Sequence, residues 1–182
     1  MIRLRKLKSE DKNNILKWRN SPEIAKFMYT DHNITESEHE KWFEKAVVEE
    51  NGYYWIVEYK GKEMGLASIT NIDSLNLRCS TGFYLYKPRA RKGIGTFVKY
   101  KLLKWCFSEL KVEKVYSEHF VFNEAIINLN ERLGLKQEGY FRKHALKNNE
   151  LQDVVYMAIL KNEWEENIEK VEEYLENKGI QI

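Results

Sequence analysis

The sequence predicts a mixed α+β (α/β) fold, in which helices flank a central, mostly antiparallel sheet with one parallel crossover. Helical and strand periodicities alternate along the chain in the order β-α-α-α-β-β-β-α-β-α-β-β-α. A basic, glycine-punctuated loop joins the fourth strand to a helix, which is typical of a parallel crossover. The order fits neither a regular doubly wound sheet nor a sandwich.

The first half of the chain is predicted to contain one strand, three helices and a hairpin. The opening strand covers residues 2–7, Ser9 begins the first helix, and Pro22 suits the first turn of the second. Thr35-Glu36-Ser37-Glu38 has the pattern of a capping box and begins the third helix. The two strands of the hairpin, joined by Lys60-Gly61-Lys62, are Tyr53–Tyr59 and Met64–Thr70.

In the second half, strands and helices alternate before a last hairpin. Gly134 ends the helix that Asn123 begins, because the residue after a helix often adopts a left-handed conformation. The other predicted elements are strands at Leu77–Tyr86 and Val112–Phe122, a helix around Phe97–Cys106, a hairpin of Gln137–Leu146 with Leu151–Leu160 about a turn at Asn148-Asn149, and a charged closing helix at about residues 161–177. That helix presents either a solvated face or a contact for a homodimer.

Composition limits the class of function. The 182 residues predict a single domain over residues 1–182. A net charge of +2 lacks the basic excess of a dedicated nucleic-acid binder, so we expect no nucleic-acid partner. Four scattered histidines, with Cys79 and Cys106 far apart, show no metal-ligand spacing and no disulfide framework, so no metal is expected. Without a long apolar run or a signal-peptide pattern, we expect no membrane partner and a cytoplasmic location.

The glycine loop at residues 87–96 has the features of a site for a polyanion. Its basic side chains precede the glycines Gly93 and Gly95, and a helix follows at once. The first N–H groups of a helix lack intrahelical acceptors, and glycines let the backbone approach a pyrophosphate closely. Val98 stands where a dinucleotide fingerprint needs a third glycine, and the Gly-Lys-Ser/Thr end of a Walker loop is absent. The alternative is an ordinary basic turn between a strand and a helix.

Two separated motifs and the element order resemble the GNAT acetyltransferase family. The first motif is the glycine loop, and the second is the Asn-led helix from Asn123 to Leu135. The resemblance implies acetyl-CoA as cofactor and strand N–H groups near Phe83, Tyr84 and Leu85 as oxyanion donors, if a β-bulge frees them. The residues that it implies for cofactor binding are Arg89, Arg91, Lys92, Gly93, Ile94, Gly95, Thr96, Asn123 and Asn128.

Segments in both halves of the chain narrow the resemblance to particular branches of the GNAT family. Lys136–Arg142, Asp153 and Glu163-Trp164 resemble the tail of the RimJ/RimL branch, and the Trp-Arg-Asn and Met-Tyr-Thr segments resemble PseH-type enzymes. Those enzymes acetylate the 4-amino group of a UDP-linked amino sugar in pseudaminic acid biosynthesis, so a nucleotide sugar is the implied substrate. The implied substrate-binding residues are Arg19, Met28, Tyr29, His39 and Trp42. Trp42 also suits a plain core position, and His39 an exposed first turn of a helix.

Two residues are the candidates for catalysis. By resemblance, Glu118 is the group that relays the proton of the attacking amine, although a strand-end carboxylate is also commonly just solvated. His119 should face the opposite side of its strand. Many relatives carry a tyrosine acid where this chain has Asn130, which donates a hydrogen bond but no proton. The thiolate of the departing coenzyme A is then expected to be stabilised by that hydrogen bond, or to take a proton from water or from the amine.

Two other functions fit the same sequence. The Glu138-Gly139, Asp153 and Glu163-Trp164 tail equally permits a RimJ/RimL-like acetyltransferase of protein N-termini. The second alternative is a catalytically silent module that binds acyl-CoA, which is consistent with Asn130.

Overall fold

A seven-stranded mixed sheet forms the centre of the computed structural model, which describes residues 1–50, 52–86 and 93–182. The strands in these ranges are Ile2–Lys6 (β1), Tyr53–Tyr59 (β2), Lys62–Asp73 (β3), Arg78–Leu85 (β4), Lys114–Phe120 (β5), Lys136–Lys147 (β6) and Glu150–Leu160 (β7). They lie in the order β1-β2-β3-β4-β5-β7-β6, and every neighbouring pair is antiparallel except β4 and β5. The predicted fold class is therefore confirmed.

The helices occupy the predicted places, with boundaries within three residues of the predicted ones. A 3-10 turn at Ser9–Asp11 precedes the first of them. The helices in the described residues are Lys12–Arg19 (α1), Pro22–Ala25 (α2), Glu36–Val47 (α3), Ile94–Ser108 (α4), Glu124–Arg132 (α5) and Lys161–Asn177 (α6). Because α4 joins the two parallel strands β4 and β5, it is the predicted crossover.

Local capping and turn signals in the sequence have their expected geometry. The Glu38 N–H donates to Thr35 Oγ1 at 3.2 Å, and the Thr35 N–H donates to the Glu38 carboxylate at 2.8 Å, which completes the capping box of α3. Gly134 has φ 90° and follows Leu133, the C-cap of α5. Asn148 and Asn149 have φ 51° and 62°, the left-handed pair that a two-residue hairpin turn requires.

The sheet separates two apolar clusters, because side chains alternate between the faces of each strand. On one face, the larger cluster joins the sheet to α4 and α6 through residues such as Val98, Leu103 and Leu175. On the other face, a smaller cluster joins β2 and β3 to α1, α2 and α3 through residues such as Ile15 and Ile56. A ligand bound between β4 and β5, in the middle of the sheet, can therefore reach the helices on both faces.

The C-terminal motif has a structural explanation. Glu163 accepts a hydrogen bond from the Leu160 N–H at 2.9 Å and so caps α6. Trp164 is 3% exposed and packs against Tyr100 and Phe107 of α4. These two residues thus hold the closing helix against the crossover helix.

In the ranges that the structure describes, no helix is both long enough and apolar enough to cross a lipid bilayer.

Candidate active site

A gap in the sheet forms the main cavity of the described residues. β4 pairs with β5 over only three residues, ending at Ser80 with Tyr116, whereas β5 stays paired with β7 as far as Phe120. Beyond that point the two parallel strands separate. A cavity of about 960 Å³ opens there and extends from α4 and α5 on one face to α1, α2 and α3 on the other.

The gap leaves backbone donors without strand partners. β4 stays in register with β3 from Ser80 through Leu85, and the register shift of this pair lies at its other end, between Thr70 and Asp73 of β3. The Tyr86 N–H donates to the Met64 carbonyl at 2.5 Å, and successive N–H groups of a strand point to opposite sides. The N–H groups of Phe83 and Leu85 therefore point into the gap. The predicted bulge at this site is absent, and separation of β4 from β5 frees the donors instead.

The start of α4 closes one end of the cavity. Gly93 is its N-cap with φ 110°, and the first helical hydrogen bond runs from the Phe97 N–H to the Gly93 carbonyl at 2.9 Å. Helix geometry leaves the N–H groups of Ile94, Gly95 and Thr96 without intrahelical acceptors, in a region of positive helix dipole. The predicted basic contacts Arg89, Arg91 and Lys92 lie outside the described residues.

A Cβ atom at Gly95 would lie 3.1 Å from Leu129 Cδ1 of α5 and 3.3 Å from Phe83 Cζ of β4. Such contacts are tighter than ordinary packing, so glycine is what lets the first turn of α4 lie this close to both neighbours. Gly95 itself lines the cavity. The helix start, the strand donors of Phe83 and Leu85, and the cavity are thus continuous.

Asn123 and Asn128 differ in their access to the cavity. Asn123 is the N-cap of α5, makes no side-chain capping bond, and lines the cavity. Asn128 is exposed on α5 and is not among the lining residues. Their predicted contacts with the cofactor stay predictions, and the geometry favours Asn123.

A half-buried arginine, without an acidic partner among the described residues, lies on the other side of the sheet. Arg19, the last residue of α1, lines the cavity, and its Nη1 is buried without a hydrogen-bond partner in the described residues. The hydroxyl of Tyr84 on β4 is also buried and unpartnered. Burial lowers the pKa of Arg19 and raises that of Tyr84, yet a guanidinium keeps its charge in proteins. The site therefore offers a fixed cation and a neutral hydroxyl to a ligand.

His39 and Trp42 of α3 stack on each other beside this arginine, with ring centroids 5.3 Å apart. His39 is 4% exposed, so it is not the exposed helix residue considered above. Its Nε2–H donates to the Lys12 carbonyl at 2.7 Å, and burial lowers the pKa of the imidazole. The ring is thus neutral, and its remaining nitrogen can only accept. Arg19 rather than His39 is therefore suited to bind a phosphate.

Glu118 lies at the opening of the cavity and contacts the loop after α2. Tyr29 Oη donates to Glu118 Oε2 at 3.0 Å, and the Tyr29 ring packs edge-on against Phe120. Burial, together with the hydrogen bond to Glu118, raises the pKa of Tyr29. Met28 lines the cavity next to them. Tyr29 and Glu118, 89 residues apart in sequence, thus form one unit of the site.

The β6–β7 hairpin holds this loop in place. Lys147 is 4% exposed, donates to the Thr30 carbonyl at 2.8 Å and pairs with the Asp31 carboxylate at 3.2 Å. The Asn148 N–H donates to the same carboxylate at 3.0 Å. The position of Tyr29 therefore depends on contacts from the far end of the chain.

His119 faces the opposite side of β5 from Glu118, as predicted, and contacts Asn130 of α5. Asn130 Nδ2 lies 2.8 Å from His119 Nε2, and since an amide nitrogen only donates, the imidazole nitrogen accepts. Burial and the charge of Lys99 lower the pKa of His119 to about 3. A base so weak and already hydrogen-bonded is a poor proton acceptor, so the geometry favours Glu118 over His119.

Asn130 is fully buried and does not line the cavity. Its side chain contacts and orients His119. It does not face the open space in which a departing thiolate would form. Its predicted direct contact with that thiolate stays a prediction and is not supported by this geometry.

The sequence interpretation missed a buried lysine that lines the cavity. Lys99 of α4 is 1% exposed and donates to Thr81 Oγ1 at 2.7 Å and to Ser117 Oγ at 3.4 Å. The available signal was a lysine one turn after Gly95, inside an otherwise apolar run of α4. Burial lowers the pKa of this lysine to about 8.

Among the described residues, no group of three or more His, Cys, Asp or Glu side chains has an arrangement that could hold a metal ion. What the cavity offers is a helix N-terminus, free strand N–H groups, carboxylates such as that of Glu118, the buried Lys99 and the half-buried Arg19. This combination suits transfer of an acyl group from an anionic carrier.

Residues 2–136 match the family model described as "Acetyltransferase (GNAT) domain". The chain belongs to the GNAT acetyltransferase family. It is an acetyl-CoA-dependent N-acetyltransferase, and the predicted cofactor and enzyme class are thereby confirmed. The free N–H groups at the start of α4 and the gap between β4 and β5 fit the pyrophosphate and the extended arm of coenzyme A.

Two relatives of this GNAT enzyme are acetyltransferases with different names. YdaF of Bacillus subtilis (strain 168), named as a ribosomal N-acetyltransferase, is 35% identical over 107 residues, which is 59% of this chain and 58% of that protein. Acetyltransferase PseH of Campylobacter jejuni is 30% identical over 135 residues, covering 72% of this chain and 83% of the relative. The comparisons thus support the family and leave the branch open.

A solved structure shares the fold over most of the chain. A spermidine N-acetyltransferase from Vibrio cholerae, crystallised in complex with CoA and spermine, has a TM-score of 0.83 and 22% identity, and covers 90% of this chain and 97% of its own. At this identity the likeness is one of fold alone.

Proposed function

We propose that this enzyme acetylates the amino group of an acceptor that also carries an anionic group, as a nucleotide-linked amino sugar does. The observation that carries the proposal is Arg19, which lines the cavity without an acidic partner among the described residues and whose Nη1 is buried without a hydrogen-bond partner. A buried charge is costly unless it is paired, so a site that keeps one is suited to a ligand of opposite charge. A diphosphate suits it through bidentate hydrogen bonds.

The neighbouring residues fit the rest of such an acceptor. Trp42 and Met28 give an aromatic and a thioether surface suited to a base ring, and the Tyr84 hydroxyl is free to donate beside Arg19. The 30% identity to PseH supports the same class of acceptor. The finer proposal is a UDP-linked 4-amino sugar of the pseudaminic acid pathway, the substrate of PseH-type enzymes.

The proposed reaction is attack of the neutral acceptor amine on the thioester carbonyl of acetyl-CoA. Acetyl-CoA supplies the activated acetyl group. Glu118, held by Tyr29, takes the proton that the attacking nitrogen loses. The N–H groups of Phe83 and Leu85 point into the gap and are the donors for the carbonyl oxygen as it gains charge.

A polyamine acceptor is the second candidate, since Glu23 and Glu38 also line the cavity. Glu38 is already used by the α3 cap and by His32, whose Nε2 lies 3.0 Å from its carboxylate. A polycation would also lie near the unpaired Arg19, which opposes its binding. We therefore rank the anionic acceptor above spermidine, and above the N-terminal peptide that the YdaF likeness suggests.

The test is a comparison of acceptors with matched variants. We expect kcat/KM to be highest for the UDP-amino sugar among that sugar, spermidine and a peptide with a free N-terminus. Arg19→Met should raise KM for the sugar roughly tenfold to a hundredfold, the worth of a charge-assisted hydrogen bond, and leave KM for acetyl-CoA unchanged. Lys17→Met, an exposed neighbour on α1, is the control. Preference for spermidine, with faster turnover in Arg19→Met, would show that the acceptor is a polycation.

A further inference from the structure

Lys99 lies at the apex of the gap between the two separating strands. Its Nζ donates to Thr81 Oγ1 of β4 at 2.7 Å and to Ser117 Oγ of β5 at 3.4 Å. These two residues follow directly after Ser80 and Tyr116, the last pair of the β4–β5 ladder. The lysine therefore bridges the strands where the cavity begins.

No carboxylate pairs with this lysine in the described parts of the chain. Its hydrogen-bond partners are two neutral hydroxyls, and the other groups that affect its charge are the thiols of Cys79 and Cys106. A buried ammonium in such surroundings costs several kcal/mol, so packing alone does not explain why a lysine occupies this core position. It is well placed, however, if a negative charge forms beside it in the cavity.

A negative charge forms on the sulfur of coenzyme A during acetyl transfer, and Asn130, the residue predicted to stabilise it, does not line the cavity. Departure of coenzyme A from the acetyl group leaves a thiolate in the cavity that Gly95 and Lys99, one turn apart on α4, both line. Asn130, at the position of the acid in many relatives, is fully buried behind His119 and cannot give a proton. Lys99 is the ammonium of α4 that faces this space.

We propose that Lys99 is a catalytic residue, which stabilises the coenzyme A thiolate and gives it its proton. The acceptor nitrogen forms a bond to the acetyl carbon, the carbon–sulfur bond breaks, and the electron pair stays on sulfur. A proton moves from Lys99 Nζ to that sulfur, and the proton of the acceptor nitrogen goes to Glu118. After release of coenzyme A, Glu118 loses its proton to solvent and Lys99 regains one from solvent. The proposal requires only acetyl transfer and holds for any acceptor.

The electrostatics of the cluster agree with this role. Burial lowers the pKa of Lys99 to about 8, close to the value of about 8.5 for an ordinary thiol, so proton transfer between them is nearly balanced. The titratable groups facing the lysine are Cys79 of β4, Cys106 of its own helix and His119 of β5. His119 stays neutral with its pKa of about 3, burial raises the pKa of the Cys106 thiol, and the contact with Cys106 lowers the pKa of Cys79.

The first test separates catalysis from packing. Lys99→Met keeps the length of the side chain and removes its charge, so we expect kcat to fall about 100-fold or more while KM for acetyl-CoA is unchanged. The melting temperature should stay equal or rise, because an uncompensated buried charge is removed. Lys101→Met is the matched control, since Lys101 lies on the same helix over the Phe97 ring. It should leave kcat unchanged.

The second test does not depend on turnover. At pH 8, calorimetry gives the ratio of the Kd for acetyl-CoA to the Kd for CoA. This ratio should be about tenfold larger in the wild-type enzyme than in Lys99→Met, because CoA can present a thiolate to the lysine.

If Lys99→Met fails to fold, Thr81→Val replaces it in a kinetic test. Thr81→Val removes the hydroxyl that accepts from Lys99 Nζ at 2.7 Å, so the pKa of Lys99 should fall. In the wild type we expect kcat to decline near pH 8, and in Thr81→Val this decline should begin at lower pH.

Two results would overturn the proposal. One is a folded Lys99→Met enzyme with wild-type kcat and an unchanged preference for CoA. The other is a lower melting temperature with equal losses of CoA and acetyl-CoA affinity, which would show that the lysine only holds the strands together.

Discussion

At the scale of single residues, the position of Glu118 depends on one hydrogen bond from a distant tyrosine. Tyr29 Oη donates to its carboxylate at 3.0 Å and fixes one oxygen, leaving the other for the acceptor amine. We predict that Glu118→Gln lowers kcat by roughly 10²–10⁴, the usual worth of a general base, without changing acetyl-CoA affinity. Steady-state kinetics with the preferred acceptor, together with calorimetry, measures both quantities.

Tyr29→Phe is the matched control for that experiment. It removes only the orienting hydrogen bond, so kcat should fall by about tenfold or less. Near-normal turnover in Glu118→Gln would assign the proton to water or to the amine itself. His119 is a poor substitute, because its pKa is about 3 and its Nε2 already accepts from Asn130.

At the scale of elements, α4 carries the chemistry of the cofactor. Its first turn offers free N–H groups, and Gly95 packs against both β4 and α5. We predict that Gly95→Asp weakens acetyl-CoA binding by about 2–3 kcal/mol, because a carboxylate meets the pyrophosphate and a Cβ atom meets Leu129 and Phe83. Calorimetry on the folded variant measures the loss.

The alanine variant isolates the steric part of this effect. Gly95→Ala adds the Cβ contacts at 3.1 and 3.3 Å without a charge, so its loss of affinity should be smaller than that of Gly95→Asp. Helix stability should not suffer in the aspartate variant, because a negative charge in the first turn favours the helix dipole. Unchanged acetyl-CoA affinity in Gly95→Asp would remove the start of α4 from the cofactor site.

At the scale of the whole molecule, one arginine ties the N-terminal elements to the sheet. Arg5 of β1 donates to both oxygens of Asp11 at 2.7 Å, to Glu58 of β2 at 2.8 Å and to Glu63 of β3 at 2.5 Å. Burial alone would raise the pKa of Asp11, but the hydrogen bonds from Arg5 and the Lys8 N–H outweigh it, and the pKa is lowered. The charged form of Asp11 is thus part of the fold.

Stability should follow the charge of Asp11. Because its folded pKa lies below the unfolded value of about 3.9, its contribution is fully present above about pH 4 and is lost as the pH falls through the folded value. We predict that Asp11→Ala costs about 1–3 kcal/mol at pH 7, the worth of its charge-assisted hydrogen bonds with Arg5, which keeps Glu58 and Glu63 as partners. Urea unfolding at pH 7 and pH 3 measures this, and the difference from wild type should shrink in acid. An equal difference at both pH values would contradict the prediction.

The sequence by itself determined the element order and the local geometry. The capping box at Thr35, the hairpin turn at Asn148-Asn149 and the end of α5 at Gly134 depend on neighbouring residues, so they could be predicted from the sequence. The glycine loop before α4 likewise predicted the anionic cofactor. Glu118 and His119 were predicted to face opposite sides of β5, because successive side chains of a strand alternate between the two faces of the sheet.

Only the tertiary structure decided how distant residues meet. Separation of β4 from β5, rather than a bulge, frees the N–H groups of Phe83 and Leu85, since β5 keeps β7 as partner to its end while its pairing with β4 stops at Tyr116. Burial of Lys99, and of Arg19 Nη1, without a carboxylate partner in the described residues depends on which helices cover the cavity. Pairing partners and burial are set by contacts between residues far apart in the chain, and local sequence patterns do not encode them.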